Sequence, residues 1–288
     1  MRKIFASCVL LLIGVALVLG VNFYLTLCVQ GKGQIMNGQA EPTSRPGVND
    51  LTITVVYDNN PYKEGLETAW GFSCLITGTE KTILFDTGGD GPLLLNNMRK
   101  LAVEPESIDI VVLSHIHGDH TGGLDSFLEK NSDVTVYLPE SFPQKFKDNV
   151  KARRAKMVDV NQSSKICEDV YSTGQLGTWI KEQSLIIRTI KGLVIITGCA
   201  HPGIVKIINV AKDLMKDDIL LVMGGFHLEW MTKGKIERII SAFEQMGVRN
   251  VGPGHCTGEK ARALFEKHFG NNYINVGAGK VVTIEDLS

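Results

Sequence analysis

The chain has almost no excess charge of either sign. Its 288 residues hold 30 Lys+Arg against 31 Asp+Glu, a formal net charge of -1. No basic surplus is present to follow a phosphate backbone, so a nucleic-acid partner is not expected. With 21% charged and 44% hydrophobic residues the chain also lacks the composition of a disordered protein. A folded protein of one or two domains is expected. Cysteine is sparse and irregularly placed. Cys8 and Cys28 fall in an apolar amino-terminal run, leaving Cys74, Cys167, Cys199 and Cys256. They lack the short regular spacing of a disulfide framework, and no C-x-x-C pair points to structural zinc. Histidine is scarce as well, at seven residues, but it is not scattered. His115, His117 and His120 fall within six residues, and His201, His227 and His255 lie in Gly-containing segments, which leaves only His268 outside such settings.

Charge is missing altogether from Ile4 to Val29, a mostly apolar run that follows Arg2 and Lys3. About 20 apolar residues suffice to cross a bilayer as a helix, whereas the apolar part of a cleavable signal is about 7–15 residues long. No small-x-small site follows, and Leu27 stands where a lipoprotein box needs a small residue. Residues 1–29 are therefore read as a transmembrane anchor in preference to a signal helix, with membrane association through that segment. The charge bias across it is slight, and it favours an extracytoplasmic domain. Residues 30–50, rich in Gly, Pro, Ser and Asn without apolar period, read as a flexible linker, and 51–288 as the folded domain.

Within that domain, short β-branched and aromatic runs alternate with helical stripes. Leu51–Tyr57, Phe72–Thr77 and Lys81–Asp86 read as adjacent antiparallel strands, and Ile108–Ser114 as a buried strand after a helix over Pro92–Leu101. A helix over Asp125–Lys130, a strand over Val134–Leu138 and a basic helix over Ser141–Arg154 follow. Further strands are expected at Gly177–Lys181, Leu185–Ile190, Leu193–Thr197, Ile219–Met223, Asn250–Gly252 and Val281–Ile284. Helices are expected over Pro202–Met215, around Ile236–Met246 and over Glu259–Phe269. In the first of these, Ile204, Ile207, Ile208, Ala211 and Met215 recur at the spacing of one buried face. Strand groups with outer helices, given twice, suggest two sheets packed face to face between helical layers.

The chemistry begins at Ser114-His115-Ile116-His117-Gly118-Asp119-His120. A buried strand ends there, and residues two apart in extended backbone project to the same side, so His115 and His117 can address one point. Asp119 and His120 follow at a turn and can address a second. Imidazole and carboxylate together suit Zn2+ and related first-row metals.

His115-x-His117-x-Asp119-His120, preceded by Phe85-Asp86-Thr87-Gly88, resembles the metallo-β-lactamase-fold hydrolases. Thr197-Gly198-Cys199-Ala200-His201-Pro202-Gly203, Gly224-Gly225-Phe226-His227-Leu228 and Pro253-x-His255-Cys256-Thr257-Gly258 resemble the branch that includes the archaeal dihydropterin-ribofuranosylaminobenzene-phosphate synthases and their bacterial relatives. The resemblance implies an α/β fold, the αββα four-layer sandwich of that superfamily. It implies one metal on His115, His117 and His201 and another on Asp119, His120 and His255. Zn2+ is expected, one or two per chain, with Mn2+ or Fe2+ as alternatives. It also implies a bridging Asp, but this chain reads Gly224-Gly225 at that place, which leaves the second site one anion short. Asp119 and His227 are the candidate catalytic residues, His227 as a replacement ligand or as a group facing substrate. Asp86 is expected to fix the histidine loop by hydrogen bonds, Asp58, Asn59 and Asn60 to line the rim, and Cys199 and Cys256 to pack behind the ligands. Gly122, Gly203 and Gly258 are read as helix starts around the metals, favouring a small anionic substrate. The expected function is a metal-dependent hydrolase or transferase on such a molecule, a pterin or a phosphate ester. The alternatives are a membrane-tethered metal-binding sensor with little turnover, and a lactonase or β-lactamase-like amidase. The oligomeric state is left open.

Overall fold

A computed structural model describes residues 47–287; the expected anchor over 1–29 and nearly all of the linker lie outside the described residues. Among the described residues no helix is long and apolar enough to cross a membrane. Among the described residues thirteen strands form two sheets: β1 (Thr52–Asp58), β2 (Phe72–Thr77), β3 (Ile83–Phe85), β4 (Ile110–Val112), β5 (Thr135–Pro139), β6 (Lys156–Val160), β7 (Ser164–Cys167), β8 (Val170–Ser172), β9 (Leu185–Thr189), β10 (Gly192–Thr197), β11 (Ile219–Gly225), β12 (Asn250–Gly254) and β13 (Val281–Thr283). The seven-stranded sheet runs β13-β1-β2-β3-β4-β5-β6, and the six-stranded sheet runs β12-β11-β10-β9-β8-β7. The helices are α1 (Gly91–Lys100), α2 (Gly118–Thr121), α3 (Leu124–Lys130), α4 (Gln144–Ala152), α5 (Ile204–Met215), α6 (Lys233–Gln245) and α7 (Glu259–Phe269).

The period of two along each strand sorts side chains into layers. Ile110 and Val112 of β4, with Val194 and Ile196 of β10, fill the core between the sheets. Val111 and Leu113 face the other way, onto Leu94, Met98, Phe127 and Val150 of α1, α3 and α4. Leu193 and Ile195 meet Ile204, Ile207, Ile240 and Phe265 of α5, α6 and α7. Each such fully buried side chain contributes roughly 1.5–3 kcal/mol. The result is the helix-sheet-sheet-helix sandwich expected from the sequence. Local signals agree with it: Asp90 caps α1 by accepting from the Leu93 N–H at 2.8 Å, Pro92 opens the helix, and Arg99 and Lys100 close it.

Three strands escaped the sequence reading and one expected strand is absent. β6, β7 and β8 are short, and β6 and β7 are the outer edges of their sheets, with five of their nine residues exposed. Edge strands of that kind carry no apolar alternation to detect. The segment 177–181 is not a strand. Gly177 takes a left-handed φ of 97° and its Cα lies against the Ile180 carbonyl, so the segment is a loop closed by the bridge between Leu176 and Glu182.

Candidate metal centre

β3 and β4 are parallel neighbours, as are β10, β11 and β12. Their carboxyl ends lie on one edge of the sandwich, where open α/β sheets leave a crevice. Asp86 follows β3, His115 to His120 follow β4, Cys199 and His201 follow β10, His227 follows β11, and His255 follows β12. Two glycines set how closely these loops approach. A Cβ on Gly198 would stand 2.2 Å from Ser114 Oγ. One on Gly225 would stand 2.3 Å from the Gly198 carbonyl oxygen and 2.7 Å from Cys256 Sγ, so the place where the resemblance implies an Asp is closed to any side chain.

The donor atoms fall into groups. His115, His117 and His201 form one, with ring centroids 4.7–4.8 Å apart and His115 Nε2 3.1 Å from His117 Nδ1. Asp119, His120 and His255 form another together with Cys199. There Asp119 Oδ2 is 3.2 Å from His255 Nε2 and 3.6 Å from His120 Nε2, and the two Nε2 atoms are 3.2 Å apart. Cys199 Sγ lies 3.2 Å from His120 Nε2, facing the donors instead of packing behind them as the sequence suggested. Cys199, His227 and Cys256 make a third group, in which His227 is exposed and its ring is 4.5 Å from that of His201. His268 is apart, on α7, with Nδ1 3.8 Å from Glu244 on α6.

Buried partners fix the rings. Asp86 Oδ2 pairs with His120 Nδ1 at 2.7 Å and accepts from the Ser114 hydroxyl at 2.7 Å, while its Oδ1 accepts from the Ser114 N–H at 2.6 Å. Ser114 Oγ is also 2.8 Å from His115 Nδ1, so a single carboxylate orients a ring in each group. Asn59 Oδ1 meets His255 Nδ1 at 2.8 Å, and Asp58 Oδ2 accepts from the His255 N–H at 3.1 Å. Glu182, fully buried, accepts from the backbone N–H groups of Cys199, Ala200 and His201 at 2.8–2.9 Å. The sequence reading missed Glu182, which follows Lys181 and carries no motif that could have served as a signal. Asp86, Ala200, His227 and His255 all hold left-handed φ values of 42–58°. Such strain gathers where surrounding structure overdetermines a functional side chain. Of the expected helix starts, Gly203 and Gly258 precede α5 and α7, whereas Gly122 ends α2 and Gly123 precedes α3.

The rings are poised differently. Burial, reinforced by the neighbouring imidazoles, pushes His115 well below the ordinary histidine range and His201 down to about 4; burial also lowers His117, against the pull of Asp119. Neutral imidazole is the ligating form. Burial works against the charge on Asp119, yet the His255 hydrogen bond and the charges of His120 and His255 hold its carboxyl well below the carboxylate range. His120 is raised: burial disfavours its charge, and Asp86 beside it, together with Asp119 and Glu182, outweighs that.

These residues fit a metal. Tetrahedral ligand bonds of about 2.0–2.3 Å set donor atoms roughly 3.3–3.7 Å apart, near the 3.1–3.6 Å separations seen here. His201 Nε2 is buried with no hydrogen-bond partner, a cost that a bound cation would remove.

The chain belongs to the metallo-beta-lactamase superfamily, whose family model matches residues 71–211. Members of this class are metal-dependent hydrolases. Among curated relatives, the 7,8-dihydropterin-6-methyl-4-(beta-D-ribofuranosyl)-aminobenzene-5'-phosphate synthase of Methanocaldococcus jannaschii is 28% identical over 285 residues, covering 82% of this chain and 97% of that enzyme. An uncharacterized protein of the same archaeon is 30% identical over 263 residues, covering 81% of this chain and 100% of the relative. A solved metal-dependent hydrolase of the beta-lactamase superfamily superposes with a TM-score of 0.69 at 30% identity, over 81% of this chain and 98% of that one.

Proposed function

We propose that the protein is a metal-dependent hydrolase or transferase acting on a small anionic molecule that joins a phosphate to a flat ring system. The observation that carries this reading is the pair of donor groups converging on one sheet edge, with His201 Nε2 buried and unpaired beside them. His115, His117 and His201 would hold one divalent cation, Zn2+ by the nature of the donors, and Asp119, His120 and His255 a second. When bound, such cations polarise phosphoryl or carbonyl oxygens and activate water for attack.

The chain's own residues do the rest. Asp119 stays ionised, which balances the positive charge gathered on one side of the crevice. His227 hangs at the exposed mouth, and its hydrogen bond with Cys256, with help from Glu182 and Asp119, raises its proton affinity. It is thereby suited to hold a proton against an anionic oxygen and release it to a leaving group. The amino ends of α5 and α7, just after His201 and His255, aim backbone N–H groups toward the same edge and favour negative charge. A flat ring is favoured by an aromatic side chain left in water near the ligands. Trp70 is 51% exposed with its ring 4.8 Å from that of His255.

The test is metal content and turnover together. Purified protein should contain one to two transition-metal ions per chain and hydrolyse or transfer a pterin phosphate ester or a simple phosphodiester. Asp119→Asn should lower kcat by about 10²–10³-fold. Less than one metal per chain, unchanged in His115→Ala, would sink the reading.

A further inference from the structure

We infer that Cys199 is the fourth donor of the Asp119, His120 and His255 site, so that this site is closed by protein and the three-histidine site is the open one. The inference rests on the metal-binding reading above and adds to it a ligand and a division of labour.

Distance is the first ground. Cys199 Sγ lies 3.2 Å from His120 Nε2, which is itself 3.2 Å from His255 Nε2 and 3.6 Å from Asp119 Oδ2. All four donor atoms lie within 4.8 Å of one another. A zinc–sulfur bond of about 2.3 Å and zinc–nitrogen bonds of about 2.0 Å require separations of this size. The second ground is how the sulfur is held. Cys199 is 3% exposed, and its backbone N–H is held by Glu182 Oε1 at 2.9 Å on a loop that Glu182 grips three times. That clasp fixes the backbone of the loop, and with it the point from which the Cys199 sulfur reaches His120. The third ground is space. Gly225, at the end of β11, cannot bear a side chain because Cys256 Sγ and the Gly198–Cys199 backbone occupy the volume. β11 therefore offers no acid to this edge, and among the described residues the further donor grouped with Asp119, His120 and His255 is Cys199.

Charge points the same way. The three-histidine group has only neutral donors, whereas the other group offers a carboxylate and a sulfur that, if metal binding displaced its proton, would together neutralise a divalent cation. Cys256 Sγ, 3.3 Å from Cys199 Sγ, is within reach of a hydrogen bond that steadies the sulfur; it does not belong to the Asp119 group. Four protein donors are the mark of a closed zinc site, and three with an open position are the mark of a catalytic one. Substrate and water then approach at His115, His117 and His201, next to His227 at the mouth. The soft sulfur also biases the closed site toward zinc-like metals over Mn2+ or Mg2+.

Cobalt(II) spectroscopy on the full chain tests this without reference to activity. Protein stripped of metal and titrated with two equivalents of cobalt should show visible ligand-field bands and, with one of the two equivalents, a near-ultraviolet sulfur-to-cobalt charge-transfer band. Cys256→Ser should keep that band. Cys199→Ser should lose it and bind that equivalent about 10–100-fold more weakly. Cobalt uptake by the wild-type protein with ligand-field bands and no charge-transfer band would overturn the assignment while leaving the metal reading intact, and it requires no variant to fold. Retention of the band in Cys199→Ser, or its loss in Cys256→Ser alone, would overturn it too. No cobalt uptake at all would overturn both readings.

Discussion

The two donor groups at the sheet edge share a loop and a sandwich, yet the rings of one are lowered while His120 of the other is raised. Around His115, His117 and His201 there are imidazoles and a buried unpaired nitrogen, and burial keeps the rings neutral. Around Asp119, His120, Cys199 and His255 there are acids: Asp86 on His120, and Glu182 under the Cys199 loop. Burial acts on both, so burial alone does not decide how a ring is poised. The balance of neighbouring carboxylates against neighbouring imidazoles does. One group is thereby kept ready to receive a cation from solution, and the other is already balanced by negative charge.

Asp86→Ala is expected to disturb this contrast most. It removes the partner of His120 Nδ1 and leaves the buried Ser114 N–H unsatisfied. Metal affinity at the Asp119 group should fall about 10–100-fold, and folding stability by about 1–3 kcal/mol. Competition with a chromophoric chelator and thermal melts would read the two effects. Equal losses at both groups would mean that the contrast is not set by local carboxylates. Ser114→Ala should act on the other side and more mildly, weakening the three-histidine group by up to about tenfold, because it removes only the hydroxyl against His115 Nδ1.

The pH response sharpens the same comparison. His201 is lowered to about 4, and His115 and His117 are lowered too. The stability that depends on their neutral forms is present above the ordinary histidine value of about 6.5 and is lost as pH falls toward 4. Metal-free protein should therefore melt at progressively lower temperature across that window, and His201→Gln should blunt the drop. His120, raised by Asp86, works in the reverse sense, its contribution fading as pH rises above about 6.5. The smallest effect is expected at the mouth. Trp70→Ala should raise KM about two- to tenfold for a substrate with a flat ring and leave kcat nearly unchanged.

Much of this centre was legible before the fold was known because its densest part is local. Spacing within six residues places His115, His117, Asp119 and His120 together wherever a strand ends at Ser114. Buried strands such as β4, β10 and β11 announced themselves through short apolar runs. The edge strands β6 and β7 did not, since exposure removes the pattern by which strands are recognised. Glu182 was invisible for a related reason. Its role is to accept three backbone N–H groups from residues 199–201, and a lone acid in sequence says nothing about which loop it will lie under.

Composition and motif alone thus determined that the chain is a folded protein with no polyanion-binding surplus, and that imidazoles and a carboxylate converge at a strand end. Only the tertiary structure decided which rings pair, that the Gly225 position is closed to an acid, and that Cys199 turns its sulfur toward His120. Those facts depend on how close β10, β11 and β12 bring loops from distant parts of the chain. Side-chain spacing along one strand fixes direction to a face, but separation across strands is set by packing, to within a few tenths of an ångström.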